Sequence, residues 1–168
     1  MESNHKAAGC SDSVKPRILV VEDSPDISDL LREAFRHLPE YDSVFAETGT
    51  EALNIFTASI RCCENTGVLM DLVLPDINGL RLLSAFREIE KGSARGCTPS
   101  RFGLISANTH VAEGTDLIKR VGVTLRLDKP FDLVTFKDRV EEWITSPPPD
   151  LYALCAGASV STRRNVSH

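Results

Sequence analysis

A chain of 168 residues, 42% apolar and 26% charged, has room for one domain with a true core and some spare tail. Its formal charge of −5, from 19 basic and 24 acidic side chains, argues against nucleic acid as a primary ligand. No apolar run reaches the roughly 18–20 residues that span a bilayer, and residues 1–15 lack the apolar centre of a secretory leader. No membrane contact and a cytoplasmic location are expected.

Cys10, Cys62, Cys63, Cys97 and Cys155 contain no C-x-x-C pair, and the vicinal Cys62–Cys63 reads as incidental. His5, His37, His110 and His168 are scattered without metal-ligand spacing. Neither set carries a site.

Residues 1–15 are small and polar and read as a flexible N-terminal tail. From residue 16 short apolar runs alternate with helical periodicity. RILVV (17–21) reads as a strand. Ser24, Pro25 and Asp26 then supply a cap, a first-turn proline and an acidic first turn. The helix they open repeats Ile27, Leu30, Leu31, Ala34, Phe35 and Leu38 on one face until Pro39 ends it.

SVFA (43–46) is a second strand, and Thr50 is expected to cap a helix with Ala52, Leu53, Phe56 and Ile60 inward. GVLMD (67–71) is the third strand, followed by a helix with Leu80, Leu83, Phe86 and Ile89 inward. After the polar loop Glu90–Arg101 comes FGLIS (102–106), then a weak helix from about His110 to Val121 with Gly114 inside it. VTLRL (123–127) is the fifth strand, and the last helix carries Leu133, Phe136, Val140, Trp143 and Ile144. Ser146–Asp150, SPPPD, is a stiff break; beyond it the segment is too short for a domain and reads as a disordered tail or a short docking segment.

Strands alternating with helices imply an α/β fold, a doubly wound five-stranded parallel sheet with helices on both faces. In such a sheet ligands sit beyond the carboxyl ends of the strands. Four of the five strands end there on a reactive or charged side chain: Glu22–Asp23, Asp71, Ser106 and Asp128–Lys129. Each alone has a bland reading. Asp71 would be a helix cap, Glu22–Asp23 a favourable charge at a helix start, Ser106 a turn hydroxyl and Lys129 a surface lysine.

Together they make a chemical set. Three crowded carboxylates repel one another unless a cation sits among them, and hard oxygens with room for water suit Mg²⁺. A lysine and a hydroxyl opposite complement a tetrahedral anion. The set reads as a magnesium-assisted phosphoryl site. No G-x-x-x-x-G-K-[ST] and no G-x-G-x-x-G occurs, so nucleotide is not the expected phosphate source. The acceptor is then a side chain, with Asp71 central.

ILVVEDSPD, LMDLVLPDINGL, LISAN and LDKPF, in this order and spacing over residues 16–145, resemble the response-regulator receiver domain of two-component signalling. Stand-alone, chemotaxis-regulator-like receivers are the nearest in kind. The resemblance implies a flavodoxin-like sheet of order 2-1-3-4-5. It makes Asp71 the phosphoacceptor, charged by a sensor histidine kinase or a histidine phosphotransfer protein. Asp23, Glu22 (mostly through water), Asp71 and the backbone carbonyl of Val73 would hold Mg²⁺. Ser106 and Lys129 would bind the phosphoryl oxygens, and Pro130 would follow a cis bond. The protein would be no enzyme beyond its own phosphoryl transfer and autodephosphorylation. New charge at Asp71 would draw Ser106 inward and shift the fourth helix. A downstream protein would read the change on the 109–145 face, and no direct nucleic-acid contact is implied.

The chain departs from the family's pattern at two points. Ser106 stands where threonine is usual, which keeps the hydroxyl. Arg126 stands where an aromatic commonly couples to that hydroxyl, which makes it an atypical switch position; an ion pair with an acid such as Glu113 would be one substitute coupling. The long Glu90–Arg101 loop, with Thr98–Pro99, looks like receivers of hybrid histidine kinases and favours a phosphorelay shuttle. The 23 residues from Ser146 to His168 cannot hold a helix-turn-helix module, so no output domain is expected there. A non-phosphorylated pseudo-receiver is one alternative, supported by Arg126. An aspartyl phosphatase is another; it usually wants an acid two residues past the nucleophile, where Val73 stands.

Overall fold

The computed structural model describes residues 15–62, 65–93, 98–107, 115–148 and 150. The chain runs β1 (Arg17–Val21), α1 (Pro25–Arg36), β2 (Asp42–Ala46), α2 (Gly49–Cys62), β3 (Asn65–Asp71), α3 (Gly79–Ser93), β4 (Arg101–Ser106), α4 (Thr115–Val121), β5 (Val123–Asp128) and α5 (Leu133–Thr145). All neighbouring strands pair in parallel, in the order β2-β1-β3-β4-β5.

Because side chains alternate across a strand, each apolar run feeds two cores. Leu19, Val21, Val68, Met70, Phe102 and Leu104 face α2, α3 and α4, where Phe56 and Phe86 stack with ring centroids 4.0 Å apart. Ile18, Val20, Leu69, Ile105, Leu125 and Leu127 face α1 and α5, meeting Leu31, Phe35, Phe136 and Trp143. Two helices therefore cover one face and three the other. Gly67 is what lets α5 close on the sheet, since a Cβ there would sit 2.7 Å from the Trp143 ring.

Several local expectations need correction. Ser24 has the extended backbone of a cap but makes no side-chain cap bond. Thr48, not Thr50, caps α2: its Oγ1 accepts from Glu51 N at 3.2 Å, and Glu51 reaches back to Glu47 N at 3.0 Å. The box T-x-x-E was present in the sequence two residues earlier than the assigned cap. Leu30, placed on the buried face of α1, is only half-buried. Helix α3 runs on through Ser93, so the first part of the supposed Glu90–Arg101 loop is helical. Lys91 pairs with Glu88 in that last turn, and Gly92 has no atom near its Cβ position, so the glycine is tolerated. Helix α4 is described from Thr115; His110, Glu113 and Gly114 lie outside the described residues. So do both tails, residues 1–14 and 151–168, and the Cys63 half of the vicinal pair.

Candidate functional site

The carboxyl ends of β1, β3, β4 and β5 carry the site. Val20↔Leu69 and Val21↔Met70 are in register, so the residues that follow, Glu22–Asp23 and Asp71, emerge side by side. Strand β1 does not release the chain at once: Glu22 N still donates to Ala46 O at 3.0 Å, which keeps Glu22 in the sheet and 1% exposed. Its Oε1 accepts from Ser24 N at 3.2 Å, while buried Ser28 donates to its carbonyl. Asp23, one residue on, is exposed. A carboxylate oxygen from each of Glu22, Asp23 and Asp71 falls within 4.8 Å of the others.

Lys129 enters from the far side. Its amide donates to Ser106 O at 2.8 Å, extending the β4–β5 ladder, and a cis bond joins it to Pro130. The ammonium lies 2.6 Å from Asp71 Oδ2 and 2.7 Å from Glu22 Oε2. Burial works against that ammonium, but its hydrogen bond to Asp71 and its ion pair with Glu22 outweigh burial and hold its pKa above the ordinary lysine value. Burial pushes the Glu22 carboxyl up, with Asp71 adding to the rise and Lys129 opposing it.

Asp71 itself is buried at the end of β3. Its Oδ1 accepts from Val73 N at 3.0 Å and its Oδ2 from Lys129. The following loop closes tightly: Gly79 N donates to Leu72 O at 3.0 Å, and Val73 bridges Asn78. A Cβ at Gly79 would lie 2.1 Å from Asp71 O, so only glycine permits this return. Ser106 ends β4, buried, one residue beyond Ile105, the register partner of Asp71.

The donor set suits a hard divalent cation. One ammonium faces three carboxylates, and Glu22 Oε2 meets it at ion-pair distance but without the alignment of a hydrogen bond, leaving a buried lone pair available. Oxygen-only ligands of this kind, with open solvent on the Asp23 side, match Mg²⁺.

Of the other residues singled out, Asp128 is exposed and is not one of the three clustered acids. Arg126 is exposed on β5; its register partner Leu104 belongs to the α2–α4 core, so the arginine rises from that face of the sheet. Sequence reasoning missed Asp76. Its carboxylate accepts from Gly49 N at 2.8 Å, Thr50 N at 2.9 Å and Thr50 Oγ1 at 2.8 Å. These donors, the Gly49 amide first, hold its pKa below the usual aspartate value. The residue stood in plain view as a loop-breaker after Pro75, but nothing local tells that its partner is a helix start 26 residues away.

The fold is thus a doubly wound α/β sheet with three acids and a half-buried lysine gathered at its carboxyl edge. The sequence profile of the response regulator receiver domain matches residues 18–141, and the chain belongs to that family. Among solved structures, the non-phosphorylated HemR receiver domain of Leptospira biflexa is 30% identical with a TM-score of 0.65, over 81% of this chain and 99% of that one. The response regulator TrrA of Thermotoga maritima, in complex with Mg²⁺ and BeF, is 28% identical with a TM-score of 0.60, over 76% and 97%. The CheX–CheY–BeF₃–Mg complex of Borrelia burgdorferi shares the fold at 22% identity and a TM-score of 0.64, over 77% and 90%. No curated protein matches the chain by sequence.

Proposed function

We propose that this chain is a phosphorylatable single-receiver response regulator: Asp71 takes a phosphoryl group from a phosphohistidine of a sensor kinase or phosphotransfer protein, and the phosphorylated state changes which protein it binds. The observation that carries the reading is the convergence of Glu22, Asp23 and Asp71 within 4.8 Å with Lys129 bonded to the central acid at 2.6 Å. The Mg²⁺–BeF complex of the Thermotoga relative supports the metal assignment.

An oxygen of Asp71 attacks phosphorus in line, the P–N bond breaks, and the electron pair leaves with the imidazole. Lys129, already seated against Asp71, neutralises charge gathering on the phosphoryl oxygens, and the Ser106 hydroxyl donates to another. Glu22, Asp23, Asp71 and the Val73 carbonyl would hold Mg²⁺, which supplies charge neutralisation at the transferring group. Burial of Asp71 and Glu22 limits water at the acceptor. Exposed Val73, two residues past Asp71, can do no acid–base work there, which disfavours a turnover phosphatase.

Three further assignments belong to this reading. Residues 16–145 act as the receiver; the downstream partner is a protein that reads the 109–145 face; the location is cytoplasmic. Arg126 favours the second reading, a pseudo-receiver that binds its partner without phosphorylation. Acetyl phosphate with Mg²⁺ separates the two. One added phosphoryl is expected by intact mass on the wild-type chain and none on Asp71→Asn. A wild-type chain that takes no phosphoryl at any Mg²⁺ concentration would sink the first reading.

A further inference from the structure

The loop between Asp71 and Gly79 is fixed at both ends. At its base, Val73 N is bonded to Asp71 Oδ1, Val73 bridges Asn78, and Gly79 N returns to Leu72 O. At its tip, Asp76 takes three hydrogen bonds from Gly49 and Thr50 at the start of α2. Ile77 seals the same contact: a Cβ on Gly49 would come within 2.2 Å of Ile77 Cγ2, so the Ile77 side chain lies against the bare Gly49 backbone. Leu74 and Ile77 pack against the core, while Asp76 itself is exposed and is tied to α2 by these three bonds.

That clamp matters because of what the loop carries. If Val73 supplies a backbone carbonyl to the cation, that ligand has no side chain of its own to steer it. Its position is set by the loop, and the loop by its two anchors. Mg²⁺ demands near-ideal octahedral placement, whereas Ca²⁺ accepts longer and irregular ligand sets. A loop locked at its tip therefore selects for the smaller ion.

We propose that Asp76 is a positioning residue for the metal site, fixing the Val73 carbonyl through its clamp on Gly49 and Thr50 and so setting preference for Mg²⁺ over Ca²⁺. The inference rests on the metal-binding reading of the acid cluster. Asp76 bonds Gly49 and Thr50 rather than the three acids and provides no ligand; it acts at a distance, as outer-shell groups do.

Isothermal titration of the unphosphorylated protein with MgCl₂ and, separately, CaCl₂ tests it. Asp76→Ala is expected to weaken Mg²⁺ binding about tenfold, the scale of lost outer-shell support, and to alter Ca²⁺ binding less than about twofold. Thr50→Val, which removes one of the three donors, is expected to shift the Mg²⁺/Ca²⁺ ratio the same way by a smaller factor, and it decides the matter should Asp76→Ala fail to fold. Equal losses for both ions, or no loss for Mg²⁺, would overturn the role of Asp76 while leaving the acid cluster as a metal site. A wild-type protein that binds no Mg²⁺ would overturn the cluster's reading itself, and this inference with it.

Discussion

Glu22 is the residue on which stability and function pull apart. It is 1% exposed, next to Asp71, and its carboxyl is displaced upward chiefly by burial. The sign follows from proton counts. Between the ordinary value of 4.5 and the raised folded value, the folded protein keeps a proton that the unfolded chain has released. Stability therefore falls as pH rises through that window, and the full cost is present above it. In Mg²⁺-free buffer at neutral pH, Glu22→Gln is expected to raise Tm by a few degrees. Below pH 4.5 the two melting curves should converge, because wild-type Glu22 is then protonated in both states. The same variant is expected to bind Mg²⁺ more weakly, having lost an anionic oxygen. A wild-type Tm that exceeds the variant's at neutral pH would show that the Lys129 pair outweighs burial.

Helix α3 shows how one element can be tied down by a pair that no periodicity marks. Arg87 and Glu90, an i, i+3 pair whose second member reads in the sequence as the start of a polar loop, are each 3% exposed. Arg87 Nε donates to Val121 O at 2.7 Å, its guanidinium lies 3.7 Å over the Phe102 ring, and Nη1 bonds Glu90. Glu90 Oε1 in turn accepts from Ser100 N at 2.8 Å. The pair thus joins α3 to the end of α4 and the entry of β4. Glu90→Ala removes the buried carboxylate that Arg87 Nη1 bonds and is expected to cost about 3–5 kcal/mol in urea denaturation. Arg87→Met with Glu90→Leu should recover part of that loss, since no lone charge remains; a double variant no better than the single would deny the charge its part. Strands and apolar helix faces were legible because periods of 2 and 3.6 are local properties of the chain. The acid cluster and Lys129 were legible for a related reason: each ends a strand, and parallel topology gathers strand ends. The Asp76 clamp and the Arg87–Glu90 pair were not, because each depends on which element lies opposite, a fact of packing rather than of period; the cap at Thr48 was local, but two threonines competed for it.

At the scale of the molecule, the metal site exists only in the fold. Its acids come from the ends of β1 and β3, neighbours in the sheet but separated in sequence by α1, β2 and α2. The unfolded chain has no such cluster, so on the proposed reading Mg²⁺ would bind the native state alone and would stabilise it. At a hundred times its dissociation constant the gain is about 2.7 kcal/mol. For a domain of this size roughly 3–5 °C of Tm accompanies each kcal/mol, so a rise on the order of 10 °C is expected in saturating Mg²⁺. Relief of repulsion among three acids held against one ammonium acts in the same direction. Asp23→Asn is the informative control, because Asp23 is exposed and bears on neither core. It should leave the Mg²⁺-free Tm nearly unchanged and abolish most of the rise, measured by circular dichroism across an MgCl₂ series at constant ionic strength. A wild-type Tm indifferent to Mg²⁺ would mean that Lys129 alone balances the cluster, and the proposed phosphoryl transfer to Asp71 would then have to proceed without a cation.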